Sequence, residues 1–251
     1  MTCLCSLESS YSKKELSSLA INFLKRYSSG EPDYSLQKIF SFVFHEDSSL
    51  FFPSGDMHLV ANDLMQDFYH NEAFIKSAFL RKELWKGKHV CLYEFPVNQS
   101  RADLCKIDEH SYAYEIKTNY DNTKRLKRQL SDYSLVFEFV YVVCSNLNLN
   151  NVLRTVPEWV GIYLFDDQPS SVSFELYRPA KLSPKIDGKA QLQCLSKTSQ
   201  LGLLNDADAC FKRALCSKYK SNWLFLKKNV SQIRPIDYQW AYKMKTIPLH
   251  R

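Results

Sequence analysis

Residues 101–118, with the sequence RADLCKIDEHSYAYEIKT, decide the fold. Two runs that suit strands flank the polar turn DEH, which predicts an antiparallel hairpin. Successive strand side chains point to opposite faces, so Glu115 and Lys117 share one face and the isoleucine between them points into the core. The hairpin can bring Asp103 to the same face. Such a group is often a solvated face or a surface ion pair, but two buried carboxylates and a lysine must pair or hold a metal ion.

The sequence after the hairpin predicts a helix within residues 119–133 and a buried strand over residues 135–143. The second segment is rich in β-branched and aromatic residues, as buried strands are. Gln129 and Tyr133 stand four residues apart and therefore share one face of the helix. A hairpin, a helix and a buried strand in this order predict a right-handed crossover beside the hairpin.

The start of the predicted helix should lie near the carboxylates. Asp121 or Asn122 can cap it, and Asp121 is as well placed to be a site residue as a cap. Basic side chains in its first turns can reach a phosphate backbone. These are Lys124, Arg125, Lys127 and Arg128.

Together these features resemble the PD-(D/E)XK nuclease superfamily, which has the restriction-endonuclease-like fold. The stretch from about Ile75 to Phe165 is similar to a family of bacterial and phage proteins with that core. The matching positions are Glu94, Arg101, Asp103, Glu115-Ile116-Lys117, Asp121, Arg125-Leu126, Gln129, Tyr133 and Val156-Pro157-Glu158-Trp159. The superfamily's usual proline before the aspartate is replaced by Ala102, which leaves the carboxylate ligand in place.

The resemblance implies an α/β protein with a restriction-endonuclease-like core, a mixed β-sheet flanked by helices, and helical N- and C-terminal extensions. It also implies a nuclease that depends on Mg²⁺ or Mn²⁺ and hydrolyses phosphodiester bonds of nucleic acid, with DNA as the expected substrate. In this interpretation Asp103 and Glu115 ligate the metal, together with the backbone carbonyl of Ile116. Lys117 orients the attacking water or stabilises the charge of the transition state.

The other site residues follow from the same resemblance. Glu94 is expected to be the third carboxylate, with Glu83 on the preceding helix as the competing candidate. Gln129 and Tyr133 would position the substrate phosphate or support the metal ligands. Arg101, like Arg125, would bind phosphate or simply pair with the carboxylates.

Charge is distributed unevenly along the chain. Residues 1–75 contain ten acidic and five basic side chains, although the whole chain has a net charge of +6. Residues 209–235 contain no acidic side chain, and their composition suits either phosphate contacts or a solvated helix face. The basic side chains include Lys212, Arg213, Lys218, Lys220, Lys227 and Lys228.

The composition predicts three segments in this chain of 251 residues. These are a helical extension over residues 1–71, the nuclease-like core over 72–167, and a basic, mostly helical region over 168–251. The chain has no apolar run long enough for a membrane span, and its first residues lack the basic and apolar regions of a signal peptide, so we expect none. Its eight cysteines show no zinc-binding spacing, so we expect reduced thiols and a cytoplasmic location.

Two other functions remain open at this point. The first is a nuclease-like fold that binds nucleic acid without cutting it, against which the intact Asp103, Glu115 and Lys117 argue. The second is a protein-interaction module, such as an antitoxin or immunity partner, that would use the acidic N-terminal segment as its contact surface.

Overall fold

The computed structural model describes residues 4–28, 31–48, 56–119, 121, 123–168, 171–195 and 206–228. It has an α/β architecture in which helices flank a six-stranded mixed sheet. None of the helices in these ranges combines the length and hydrophobicity that crossing a bilayer requires. The predicted fold class, an α/β core with helical extensions, is confirmed.

The described residues of the N-terminal extension form the helices α1 Cys5–Ser10, α2 Lys13–Leu24, α3 Asp33–Phe44 and α4 Met57–Phe68. Helix α2 begins with a capping box, in which Ser12 and Glu15 satisfy each other's backbone N–H groups. The helices enclose a hydrophobic core of their own, in which Phe23, Phe40 and Phe44 form edge-on and stacked ring contacts. The helical character predicted for this segment is confirmed in its described residues.

The remaining elements build the sheet and its surrounding helices. In chain order they are α5 Glu72–Glu83, β1 Val90–Val97, β2 Ser100–Ile107, β3 Ser111–Lys117, α6 Leu126–Ser134, β4 Phe139–Ser145, a 3₁₀ turn Asn146–Asn148, α7 Leu149–Thr155, β5 Gly161–Gln168, β6 Ser171–Arg178, α8 Gly188–Gln193 and α9 Ala207–Lys228. The strands lie in the order β1-β2-β3-β4-β5-β6. The pairs β3–β4 and β4–β5 are parallel, and the others are antiparallel.

Helices α5 and α6 cover opposite faces of the sheet. Phe79 of α5 packs against the ring of Tyr114 at a centroid distance of 5.3 Å. Tyr133 of α6 instead contacts the side chain of Glu115, the next residue along β3. Because adjacent strand residues point to opposite faces, the two helices lie on opposite sides of β3. This places α6 over the face that carries the predicted site.

The core extends further along the chain than residue 167, where the predicted core ended. Strand β6 adds an antiparallel edge to β5. Helix α9 packs on β1 and β2 and contributes Phe211, Trp223 and Leu226 to the same hydrophobic core as Ile75. The prediction missed β6 because it is a half-exposed edge strand with polar residues on one face, and serines and prolines follow it.

Two element boundaries also differ from the sequence prediction. Helix α6 begins at Leu126, and Asp121 accepts hydrogen bonds of 2.8 Å from both the backbone N–H and the hydroxyl of Thr118. Asp121 therefore closes a turn after β3 and does not cap α6, and Asn122 lies outside the described residues. Strand β4 begins at Phe139 because the preceding buried residues turn back onto the end of α6 through hydrogen bonds to the Tyr133 carbonyl.

Candidate functional site

Three carboxylates stand side by side on neighbouring strands. The backbone register sets Glu94 of β1 opposite Asp103 of β2, and continuing the register of the next pair brings Glu115 of β3 to the same level. Glu94 has a φ of 52°, a left-handed conformation that a residue with a side chain seldom adopts. The predicted convergence of Asp103 and Glu115 is therefore present, and Glu94 joins it from the outer strand.

Glu115 lies at the centre of the predicted constellation. Its side chain is 2% exposed and accepts hydrogen bonds from Lys117 Nζ at 2.6 Å and from Gln129 Nε2 at 2.6 Å. The hydroxyl of Tyr133 lies 2.7 Å from Glu115 Oε2. Burial raises the pKa of Glu115, although the charge of Lys117 and the hydrogen bonds from Lys117 and Tyr133 oppose the rise. The structure thus brings together all four of these predicted residues.

Both carboxylate oxygens of Asp103 make polar contacts. Oδ2 accepts the backbone N–H of Ile116 at 2.7 Å, and Oδ1 lies 2.8 Å from Lys76 Nζ. Burial and the negative charge of Glu115 raise its pKa well above the usual value. Ile116 thus contacts Asp103 through its N–H, and metal ligation by its carbonyl stays a prediction.

Helix α5 contributes two residues that the sequence analysis missed. Lys76 is 1% exposed, and its ammonium group contacts the carboxylates of Glu72, Glu94 and Asp103. The sequence shows only that Glu72 and Lys76 stand four residues apart, a spacing that is equally typical of an exposed helix surface. Glu83, the competing candidate for the third carboxylate, lies at the far end of α5 beside a different cleft.

The carboxylates of Glu72, Asp103 and Glu115 line an open cleft of about 450 Å³. Arg125 and Arg128 of α6 line it and are exposed, while Lys124 and Lys127 are exposed outside its lining. Arg101 also lines the cleft, with a side chain that is 62% exposed and whose Nε contacts the Glu94 carboxylate. Of the two roles considered for Arg101, the structure therefore shows the ion pair. The rim of the cleft is nevertheless rich in arginine.

The basic residues of α9 divide into two groups. Lys212 pairs with Glu138 at 3.2 Å and with Asp208 at 2.5 Å, and Lys227 donates to the Gly87 carbonyl at 3.1 Å. These two lysines hold α9 against the core. The exposed basic side chains are Arg213, Lys218, Lys220 and Lys228.

The acidic cluster has the chemistry of a site for a hard divalent cation. One carboxylate oxygen from each of Glu72, Glu94 and Asp103 lies within 4.8 Å of the other two. Magnesium and manganese prefer such oxygen ligands, and repulsion among buried carboxylates favours a bound cation. The residues therefore fit the Mg²⁺ or Mn²⁺ that the sequence resemblance implies, although ligation by Glu115 remains a prediction.

Comparison with known sequences identifies a family whose pattern covers most of this chain. The family described as bacteriophage P4 protein cII matches residues 65–240, which include every strand of the sheet and all candidate site residues. The chain belongs to this family. Protein cII of Enterobacteria phage P4 is 30% identical over 131 residues, which are 51% of this chain and 50% of the relative. The match thus spans about half the length of that curated relative.

A solved structure gives a weaker likeness. A protein of unknown function from Silicibacter pomeroyi matches 57% of this chain and 80% of its own, with 12% sequence identity and a TM-score of 0.36. A score at this level does not establish a common fold.

Proposed function

We propose that this member of the phage P4 cII family is a metal-dependent nuclease that hydrolyses phosphodiester bonds of nucleic acid, with DNA as the expected substrate. The observation that carries the proposal is the group around Glu115. Lys117, Gln129 and Tyr133 all contact this buried carboxylate, and Asp103 stands beside it at the edge of an arginine-rimmed cleft. Apolar residues would pack this space at lower cost, so a buried polar group of this size supports a chemical role.

Each residue has a role that its contacts support. A bound Mg²⁺ or Mn²⁺ would activate water and neutralise charge on the phosphate. Asp103 and Glu115 would hold the ion, and Gln129 and Tyr133 fix the orientation of the Glu115 carboxylate. Burial alone would lower the pKa of Lys117, but the charge and hydrogen bond of Glu115 outweigh it and raise the pKa. Lys117 is therefore a cation at neutral pH, which suits it to stabilise developing negative charge and not to act as a base.

The arginines give the cleft its affinity for the substrate. Arg125 and Arg128 are exposed on α6 and line the same cleft as Asp103 and Glu115. Their guanidinium groups can bind the phosphates on either side of the scissile bond, which gives affinity without dependence on sequence. The exposed basic residues of α9 would extend this contact surface.

The test is cleavage by the purified protein of single- and double-stranded DNA and RNA, with Mg²⁺ or Mn²⁺ and with chelator. We expect metal-dependent cleavage that is lost in Glu115→Gln and Lys117→Met. Glu83→Gln is the matched control, because this glutamate lies outside the cleft, and it should cleave like the wild type. Activity that survives in both cleft variants would refute the proposed site.

One observation supports a second candidate function. Lys76, Arg101 and Lys117 each pair with a carboxylate of the candidate site, namely that of Glu94, Asp103 or Glu115. A nuclease-like fold that binds nucleic acid without cutting it would have such an internally neutralised site. Binding without cleavage under every metal condition would support this candidate. The proposed contact of a protein partner with the acidic N-terminal segment stays a prediction.

A further inference from the structure

Lys76 is a buried lysine whose contacts use its full capacity as a donor. Its side chain is 1% exposed, and Nζ lies 2.8 Å from Asp103 Oδ1 and pairs with the carboxylates of Glu72 and Glu94. An ammonium group has three N–H bonds, which equals the number of its carboxylate partners here. No donor is left for a substrate phosphate, so a direct role in binding nucleic acid does not explain this residue.

The ammonium lies among the oxygens that a metal ion requires. The oxygens of Glu72, Glu94 and Asp103 that lie within 4.8 Å of one another surround a small space. Magnesium binds its oxygen ligands at about 2.0–2.1 Å and demands near-octahedral geometry. An ammonium group and a divalent ion cannot occupy that space together, because each needs the same lone pairs and the two cations repel one another.

We propose that Lys76 is an internal competitor of the divalent ion, so that metal binding by Glu94 and Asp103 requires the ammonium to leave them. The inference rests on the proposed function, because Asp103 is a ligand of the ion in both and Glu94 would join Asp103 and Glu115 in holding it. Glu72 is the partner that Lys76 can keep, because its side chain is 45% exposed, whereas that of Glu94 is 9% exposed. Moving towards Glu72 takes the ammonium to the mouth of the cleft.

Such a competitor has two effects. It holds the buried carboxylates together in the metal-free protein, where they would otherwise repel one another. It also weakens metal binding, because the ion must displace a cation that already has three partners. The carboxylates are therefore stable without a metal ion. The site binds the ion only at a free metal concentration higher than it would need if Lys76 were absent.

Calorimetric titration with Mn²⁺, without nucleic acid, tests the inference on wild type and Lys76→Met. We expect the variant to bind Mn²⁺ about tenfold more tightly or better, because removing a unit charge a few ångströms away favours a second cation. Lys82→Met is the matched control: Lys82 lies on the same helix and is exposed, and it donates to the Val172 carbonyl outside the cleft. Its affinity should equal that of the wild type.

Unchanged or weaker binding of Mn²⁺ in Lys76→Met would overturn the inference. Lys76 would then pair with the carboxylates without competing with the ion for its position. If the variant is unfolded without metal, circular dichroism should show that Mn²⁺ restores the fold, and a chain that stays unfolded would also overturn it. Cleavage plays no part in this test. Tighter Mn²⁺ binding in a protein that never cleaves would refute only the proposed function, and cleavage with unchanged affinity would refute only this inference.

Discussion

Lys212→Met tests whether the basic residues of α9 serve stability or nucleic-acid binding. The ammonium of Lys212 lies 2.5 Å from Asp208 Oδ2, 3.2 Å from Glu138 Oε2 and 2.8 Å from the Glu109 carbonyl. Its side chain is 17% exposed and that of Glu138 is 12% exposed. Methionine keeps the apolar stem and has a similar helix propensity, so the variant removes the charge and little else.

The expected loss can be worked out from these contacts. The pair with the more exposed Asp208 contributes about 0–1 kcal/mol, and the hydrogen bond to the Glu109 carbonyl contributes about 1 kcal/mol. Leaving a buried carboxylate without any partner costs about 3–5 kcal/mol. Glu138 keeps hydrogen bonds of 2.8 Å from the Ser111 backbone N–H and from His110, so we expect the loss of its pair with Lys212 to cost only about 1 kcal/mol. The free energy of unfolding should fall by about 2–3 kcal/mol in total.

Urea denaturation measures this change as a lower midpoint with an unchanged slope. Lys220→Met is the control on the same helix, because Lys220 is exposed, and its stability should stay within about 0.5 kcal/mol of the wild type. Nucleic-acid affinity and its salt dependence should not change in Lys212→Met. If this variant is as stable as the control but shows a flatter salt dependence, Lys212 is a phosphate contact and its described ion pairs contribute nothing.

Three further predictions concern the site and its surroundings. Tyr133→Phe removes a hydroxyl that is hydrogen-bonded to the buried Glu115, so the free energy of unfolding in urea titrations should fall by about 1–3 kcal/mol. The cleavage rate should fall more than the affinity for nucleic acid. An unchanged free energy of unfolding and an unchanged cleavage rate would contradict the described contact. Burial alone lowers the pKa of His70, but hydrogen bonds to Asp167 and to a backbone carbonyl raise it overall, so the stability gained over His70→Gln should be full below about pH 6.5 and disappear as pH rises through the raised pKa. A melting-temperature difference that grows with pH would show the opposite sign. Arg128→Glu should weaken binding of all sequences alike and flatten the log–log salt dependence by about one unit, whereas a sequence-dependent loss would indicate base contacts.

The hairpin and the residues around Glu115 could be predicted because their signals are local. The alternation of side chains along β3 fixed which residues share a face, and helical spacing placed Gln129 and Tyr133 together. A short turn fixes the register of a hairpin, so the position of Asp103 followed as well. These inferences needed only the alternation of side chains along a strand and the spacing of side chains along a helix.

The contribution of α5 could not be predicted in the same way. A lysine four residues after a glutamate is typical of an exposed helix surface, and nothing in the spacing of Glu72 and Lys76 indicates burial. Their position depends on how α5 packs against the sheet, which is a long-range property. The same reason explains Lys212, whose partner Glu138 lies 74 residues earlier in the sequence, just before β4.

The packing of α9 has a consequence for how the protein is made. Strand β1 lies in the first half of the chain, but the residues that cover it include Phe211, Trp223 and Leu226, which the ribosome adds much later. Synthesis runs from the N-terminus, so the helices that contain Phe23 and Phe40 can fold before helix α9 has been synthesised and can cover the sheet. A message cut short before α9 would therefore yield a chain with an uncovered apolar sheet, which is a substrate for proteases and not a working protein.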